Sequence, residues 1–565
     1  MKAEHVLIMF AVLFLIILVI AAARNNAERE KRKLRFLRAR YGKVPENEYT
    51  AEELASAGLY AKEEENGAFE IDDITWNDLA LEDLYLLMNN TVSSPGDSVL
   101  MDWLRHPVFD KEKLAARDRL IELVRENQGL REKLQVILWD VGRDNGISAY
   151  ELFKRLDEAQ KIGRAKYIAS AIGMLAGIAL LFIQPLVGLL LIIAMLVFNS
   201  ASYMHGNTTI KTYVKSFKAI LRMLEASRKL AGLNVPEIKD ILQELGSLEG
   251  GLKGISRGAF LVTSASGVGT GLESVLIEYM KMFFHVDLIK FDQMLDAYRG
   301  KEAAVLRMFE LLGTLDTVCA LASYREYLPV YTRGDFHFPK EGEKPVIRAE
   351  ELVHPLLSAP VPNSFTVQGG NLITGSNASG KSTFLKSAAI AAIMGQTVCT
   401  VPAGAFSSPF IRVLTSMALT DNLSGGESYF IVEIRSLRRI MEASEDASSG
   451  IPVLGVVDEV LRGTNTIERI AASAEILAEL AKKPAVTLAA THDIELANIL
   501  KGSYRNLHFE EEIRDGDVVF SYKLLEGPAT TRNAIRLLGL AGYDEEVVER
   551  ARARAERFET TGNWT

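Results

Sequence analysis

The sequence predicts two kinds of fold in one chain: an α/β domain with a parallel sheet over residues 340–565 and, before it, an all-α domain over 76–330. Three observations carry this. Apolar residues recur at helical spacing over 76–164 and again over 208–321, as in Leu79, Leu81, Leu84, Leu86 and Leu87, then Val99, Leu100, Trp103 and Leu104. Beyond Pro345 the pattern changes to short β-rich runs at 371–374, 451–457 and 485–490 that alternate with helices, the signature of a parallel α/β sheet. Two apolar runs, 6–23 and 167–203, prefer lipid; they predict an N-terminal transmembrane helix and a transmembrane helical hairpin that interrupts the all-α domain. Between anchor and helices, 44–75 is acidic and weakly periodic, and reads as a linker.

The run 6–23 approaches the roughly 20 residues that a helix needs to cross about 30 Å of hydrocarbon. Its leading end carries Lys2 beside Glu4, whereas its trailing end carries Arg24, Arg29, Lys31, Arg32, Lys33, Arg35, Arg38 and Arg40, so the positive-inside rule keeps the trailing side in the cytoplasm. Residues 1–43 are therefore expected to be a transmembrane anchor with a basic segment that sets topology or touches anionic lipid. A cleaved signal peptide is the competing reading, because Ala21, Ala22 and Ala23 resemble a small-residue cleavage site. The run 167–203 is interrupted at Gln184 and Pro185, where a helix breaks, and lysines and arginines flank it at 161, 164, 166, 211 and 215. Both of its ends then face the cytoplasm. A buried core hairpin of a soluble protein remains the alternative, each half being at the lower limit of spanning length. The expectation is a multi-pass protein of the cell membrane, in contact with lipid, with its α/β domain on the cytoplasmic side.

Length and composition narrow the classes. With 565 residues, 48% hydrophobic and 24% charged, the chain can bury two or more real cores. A formal net charge of −9 supplies no overall pull toward nucleic acid, so DNA contact requires a local basic surface. The two cysteines, Cys319 and Cys399, lack metal-ligand spacing and fit a reducing compartment.

The strongest chemical signal is Gly375-Ser376-Asn377-Ala378-Ser379-Gly380-Lys381-Ser382, a G-x-x-x-x-G-K-[ST] loop after an apolar strand and before a helix. Glycines at both ends let backbone N–H groups curl around phosphate oxygens, and the helix N-terminus adds positive dipole. Lys381 would reach the β- and γ-phosphates of ATP, and Ser382 would ligate Mg2+. The apolar run 451–457 ends in Asp458 and Glu459: the first acid is expected on the Mg2+ side, the second to orient the attacking water. His492, after a further apolar run, stands where a polar group senses the γ-phosphate. The bland readings are a chance glycine-rich turn, an acidic strand end and a structural histidine.

The residues around these motifs resemble the MutS mismatch-repair ATPases. Gly375 to Thr383 looks like that family's P-loop, with Asn377 two places after the first glycine; Asp458-Glu459-Val460-Leu461-Arg462-Gly463-Thr464-Asn465-Thr466 resembles its acidic motif, and Thr491-His492-Asp493-Ile494-Glu495-Leu496 its switch. The stretch 421–433 resembles the family's signature loop, which implies that Ser428 reaches across a homodimer to the partner's γ-phosphate. His354-Pro355, the segment around Val401-Pro402 and the C-terminal stretch from Gly527 also fall where the family has such residues, and 91–107 resembles the start of its helical core. The resemblance implies an ABC/MutS-type α/β P-loop NTPase fold, ATPase activity with Mg2+, a dimer switch, and DNA as a partner. It also implies that Tyr522 covers one face of the adenine, while Pro360 stands where the family often places an aromatic.

Departures and rivals follow. Residues 1–75 are too few for a mismatch-reading module, and the lipid-like hairpin stands where a β-rich clamp is expected. Leu423-Ser424-Gly425-Gly426-Glu427 also resembles the ABC-transporter signature, but the short separation from Lys381 is unlike that family. Two functions remain: a MutS-like ATPase acting on DNA in mismatch repair or DNA-structure processing, and a membrane-associated mechanochemical or scaffold ATPase without a DNA role.

Overall fold

The computed structural model describes residues 3–63, 69–144, 146–263, 279–339, 342–376, 379–417, 429–446, 450–461, 464–514, 517–529, 535, 538 and 542–564. The chain divides into two compact units, one made of 1–66, 88–102 and 120–327, the other of 67–87, 103–119 and 328–565.

The first unit is helical. Its principal members are α1 (Ala3–Arg40), α2 (Ser94–Arg105), α3 (Gln128–Val141), α4 (Arg164–Leu180), α5 (Pro185–Ala231), α6 (Val286–Tyr298) and α7 (Glu302–Tyr327). α7 is buried along nearly all of its middle, from Leu311 through Arg325. Such a helix must satisfy every polar group it carries. Asp316 does so as an acceptor: its carboxylate takes the N–H groups of Val92 and Ser93 and the Ser93 hydroxyl at the start of α2. Close approach there depends on two glycines. A Cβ on Gly96 would stand 2.3 Å from the Asp316 carboxylate, and one on Gly313 2.4 Å from Val99 and 2.5 Å from the Pro95 carbonyl.

The basic end of α1 is packed rather than free. Phe36 meets Trp139 of α3 edge-on at 5.2 Å, Lys33 pairs with Asp140, and Arg38 grips both oxygens of Glu132 at 2.7 and 2.8 Å. Part of the arginine and lysine run read from sequence as topology or lipid signal thus serves helix docking.

α4 and α5 run side by side after the break at 181–184, and Pro185 opens α5 at a position where its missing N–H costs nothing. Glycines let them touch: a Cβ on Gly177 would meet Ile192 at 2.9 Å, and one on Gly188 the Leu181 nitrogen at 2.4 Å. Large apolar side chains face outward around the break, with Phe182 87%, Ile183 75% and Leu186 71% exposed. Among the described residues, one helix, Pro185–Ala231, is long and apolar enough to cross a membrane. This overturns the expected multi-pass localisation in the cell membrane: one candidate span cannot cross several times. α4 has 17 residues and begins with Arg164 and Lys166, so at 1.5 Å per residue it covers only about 25 Å. The candidate span is neither N-terminal nor one arm of an established transmembrane hairpin.

The second unit is α/β. Its strands are β1 (Asp335–His337), β2 (Val346–Leu352), β3 (Asn363–Gln368), β4 (Gly370–Thr374), β5 (Ala405–Pro409), β6 (Arg412–Ser416), β7 (Val453–Asp458), β8 (Ala485–Thr491), β9 (Tyr504–His508), β10 (Glu511–Arg514), β11 (Asp517–Phe520) and β12 (Leu525–Glu526). Six of them form a sheet in the order β12-β9-β4-β8-β7-β6, parallel apart from β12; β1-β5-β2-β3 form a second sheet, and β10 and β11 a hairpin. β4 and β8 are buried at every position, which is why they read in sequence as continuous apolar runs. Helices α8 (Lys381–Thr397), α9 (Tyr429–Glu445) and α10 (Thr466–Leu480) accompany the sheet, with Leu437, Ile440 and Leu477 in its core. The short helix Asp73–Asp78 belongs to this unit. Its Asp78 accepts the Thr415 hydroxyl at 2.6 Å and the Met417 N–H at 2.9 Å, fastening the end of β6.

Two substitutions separate packing from propensity. Gly313→Ala is expected to cost about 1–3 kcal/mol through overpacking, because both atoms it meets are held by α2. Gly250→Ala, on an exposed helical position with nothing within 4 Å, is expected to stabilise by up to about 1 kcal/mol. Denaturant unfolding of the full chain reads both signs.

Candidate nucleotide site

In the six-stranded sheet β8 lies between β4 and β7, with Thr374 level with Thr491 and Asp458 level with Ala490. The loop after β4, the acids at the end of β7 and the His492 turn after β8 therefore emerge at the carboxyl ends of three neighbouring strands. That edge is where open α/β sheets place ligands.

The loop after β4 can be built only with glycine at its two ends. Gly375 has φ 141°, and a Cβ there would lie 2.6 Å from the Phe509 carbonyl; Gly380, at φ 104°, precedes α8. Ser379 donates from its hydroxyl to the Ser376 carbonyl at 2.7 Å, tightening the curl. Lys381 is buried, and its Nζ donates to the carbonyls of Gly375 and Ser376 at 2.8 and 2.7 Å. The ammonium thus lies beneath the loop rather than in solvent. Ser376 donates to Glu511 at 3.1 Å. Thr383 sits two residues after Lys381, its carbonyl accepting from the Ser387 hydroxyl at 2.7 Å.

Ser382 Oγ donates to Asp458 Oδ2 at 2.5 Å, so the first residue pair expected around Mg2+ is in direct contact. Glu459 follows with φ 56°, and Leu461 with φ 59°. Left-handed backbone at non-glycine residues costs of order 1–3 kcal/mol each and persists where neighbours enforce it. They do so here: the Glu459 N–H donates to the Ala490 carbonyl at 3.0 Å, and the Leu461 N–H to the buried Glu433 carboxylate at 2.5 Å. The turn aims Glu459 at His492, whose Nε2 lies 2.7 Å from Glu459 Oε1. Asn377, Ala378 and Ser428 lie outside the described residues, as do Arg462 and Gly463 of the acidic motif.

Beside the loop is a cavity of about 350 Å³ lined by Leu352, His354, Pro360, Thr383, Phe384 and Tyr522 among others. Pro360 and Tyr522, paired in the sequence reading, thus border one space. Tyr522 is itself at φ 51°, stacks on Phe520 at 5.8 Å, and is fixed by Asn363, which donates to the Tyr522 carbonyl at 2.9 Å and accepts from the Leu524 N–H at 2.9 Å. Burial pushes the His354 imidazole down to about 4, and nearby Lys386 adds to the shift. Its ring is neutral at pH 7, with Nδ1 accepting from the Leu356 N–H at 3.3 Å.

Sequence reasoning assigned no role to Asn363, Glu433 or Glu511. Glu433 lies in the stretch resembling a signature loop, but its partner, the Leu461 N–H, is 28 residues away. No spacing rule links such residues.

Comparison with known proteins points to one family over the C-terminal part of the chain. Residues 371–559 match the MutS domain V family model. The DNA mismatch repair protein MutS of Thermus thermophilus is 34% identical over 259 residues, which is 45% of this chain and 30% of that protein. The DNA mismatch repair protein MutS 2 of Halobacterium salinarum is 34% identical over 257 residues, 44% of this chain and 28% of that protein. The DNA mismatch repair protein MSH3 of Phaeosphaeria nodorum is 32% identical over 285 residues, 48% of this chain and 24% of that protein. The chain thus spans less than a third of the length of these relatives. Over its C-terminal α/β part, this protein is homologous to the MutS and MutS2 proteins through their domain V.

Proposed function

We propose that this protein is a MutS-like ATPase in which ATP and Mg2+ at Lys381 close a homodimer and hydrolysis reopens it. The observation that carries this reading is the hydrogen-bonded path from Ser382 to Asp458 and, through the next residue, from Glu459 to His492. Lys381 neutralises phosphate charge; the loop N–H groups and the start of α8 cradle the oxygens. Among the described residues no group of three or more His, Cys, Asp or Glu side chains is placed to hold a metal ion. Ser382 and Asp458 fit Mg2+ nonetheless, which takes one or two protein ligands and completes its shell with phosphates and water. The ion supplies charge stabilisation where the phosphoryl group leaves. Glu459 orients the attacking water, and His492 holds that carboxylate and feels the γ-phosphate. The 350 Å³ cavity takes the base, with Tyr522 on one face and Pro360 on the other. Ser428 of a second copy completes the site, so that differential contact with the γ-phosphate drives the switch.

DNA is proposed as the partner because all three relatives above are named as DNA mismatch repair proteins. The exposed apolar face of α4 and α5 favours a second reading, a membrane-associated scaffold or mechanochemical ATPase that touches lipid through α5 and binds no DNA.

Three outcomes test these readings on the purified full chain in detergent. Lys381→Ala should abolish nucleotide uptake and turnover, while Glu459→Gln should keep uptake and lose about 10²–10⁴-fold in turnover; unchanged turnover in either rejects the site. Duplex binding should be measurable at about 50 mM salt and fall steeply toward about 200 mM; no binding at low salt selects the scaffold reading. The third concerns His354. It holds its proton less readily folded than unfolded, so its contribution to stability is present above about pH 6.5 and is lost as pH falls toward about 4, by up to about 3 kcal/mol. His354→Asn, which keeps an acceptor for the Leu356 N–H, should flatten that part of the stability–pH curve.

A further inference from the structure

At the base of α4 and α5 the helical unit buries a set of polar side chains that the nucleotide chemistry does not use. Lys281 is 0% exposed, and among the described residues its Nζ has no hydrogen-bond partner. One turn later His285, also 0% exposed, makes no hydrogen bond of full geometry from either ring nitrogen among the described residues, with the Asn199 backbone near enough to favour its protonated form; its backbone N–H donates to the Lys281 carbonyl at 2.8 Å, so both side chains leave one short helical turn. His285 has φ 52° and caps the N-terminus of α6 with backbone alone, its side chain free of any capping bond. Its ring lies 5.0 Å from that of Tyr167 on α4 and 6.3 Å from that of Tyr203 on α5.

The surrounding partners are already engaged. Asp287, the carboxylate in electrostatic reach of Lys281, accepts the Tyr203 hydroxyl at 3.0 Å on one oxygen and the Leu288 N–H at 2.9 Å on the other. Asn199 donates to the Phe283 carbonyl at 2.7 Å and takes the Ser170 hydroxyl on its oxygen. Asp292 accepts the N–H groups of Ile162, Gly163 and Arg164 at the start of α4, and Lys166 lies over Tyr167 at 4.7 Å. What remains is an imbalance of donors. An ammonium offers three N–H groups and a neutral imidazole one, and buried donors without acceptors are rare because each costs the full desolvation of the group.

We propose that Lys281 and His285, at the N-terminus of α6, form a binding site for a singly charged phosphate-type oxyanion. The chemistry follows from the count. An acceptor-rich ligand satisfies both side chains at once, where a single water brings two acceptor sites and two protons of its own to place, and the positive end of the α6 dipole favours a negative one. A single charge fits better than two, since Asp287 already offsets part of the Lys281 charge. Two sources supply such a group: a phosphodiester lipid headgroup, whose chains would lie on the exposed apolar face of the same α4 and α5, or free monobasic phosphate.

The test titrates the detergent-solubilised full chain with dihexanoyl phosphatidylglycerol and, separately, with inorganic phosphate at about pH 6, by calorimetry. Saturable binding of either is expected, weakened at least about tenfold in Lys281→Met and measurably in His285→Gln, as loss of a charge-assisted hydrogen bond requires. Tighter binding of the lipid assigns the site to a headgroup, and equal binding with mutual competition to the free anion; both support the site. Helix content by circular dichroism checks that each variant is folded, and if Lys281→Met is not, His285→Gln decides alone. No saturable binding of either probe by the unaltered chain, or equal affinity in folded variants, overturns the proposal.

Discussion

The Ser382–Asp458 hydrogen bond depends on where β8 lies. β4 delivers the loop 375–380 and β7 delivers the acids, but the two strands do not touch; β8 pairs with both and fixes their ends at the same level. Shifting β8 by one residue would point every side chain on it to the opposite face and carry His492 away from Glu459. All seven residues of β8 are buried, so the register is pinned on both faces at once. The sheet core and the candidate chemistry are thus one constraint seen from two sides.

That dependence explains what could be read from sequence. The apolar runs at 371–374, 451–457 and 485–490 correspond to β4, β7 and β8 because parallel strands covered on both faces must be continuously apolar. The loop from Gly375 was legible for a similar reason: a backbone at φ 141° and 104° against a carbonyl 2.6 Å away admits nothing larger than glycine. Glu433, Asn363 and Asp78 were not legible as working residues. Each acts on a backbone group or hydroxyl 28, 159 and 337 residues distant, and a carboxylate that holds a turn has no periodicity to betray it.

The lipid-like segments show a different limit. Hydropathy reports how a segment partitions, and so it marked 167–203 correctly as apolar. It does not report whether the segment is long enough once its turn is formed. α4 loses its first turn to Arg164 and Lys166, and the turn at 181–184 removes four more residues, leaving α5 as the one described helix both long and apolar enough to span. The basic residues near the end of α1 were equally ambiguous, since an arginine that grips Glu132 and one that faces a headgroup look alike in sequence.

Small residues and polar groups between α4 and α5 point to how that pair holds together. The hydrophobic effect cannot draw two helices together if their outer faces stay apolar in an apolar surrounding; close backbone contact and interhelical hydrogen bonds must replace it. Gly173, Gly177 and Gly188 supply the first, and the Ser170–Asn199 bond supplies the second. Asn199 then ties the pair to the Phe283 carbonyl, and Tyr203 ties it to Asp287. The polar side chains therefore gather at the base, between α4, α5 and the start of α6, while the far end is apolar apart from Gln184 in the turn. An arrangement of this kind orders the helix pair from its base, so a ligand that engaged Lys281 and His285 would act on the anchorage of the whole apolar pair rather than on one side chain.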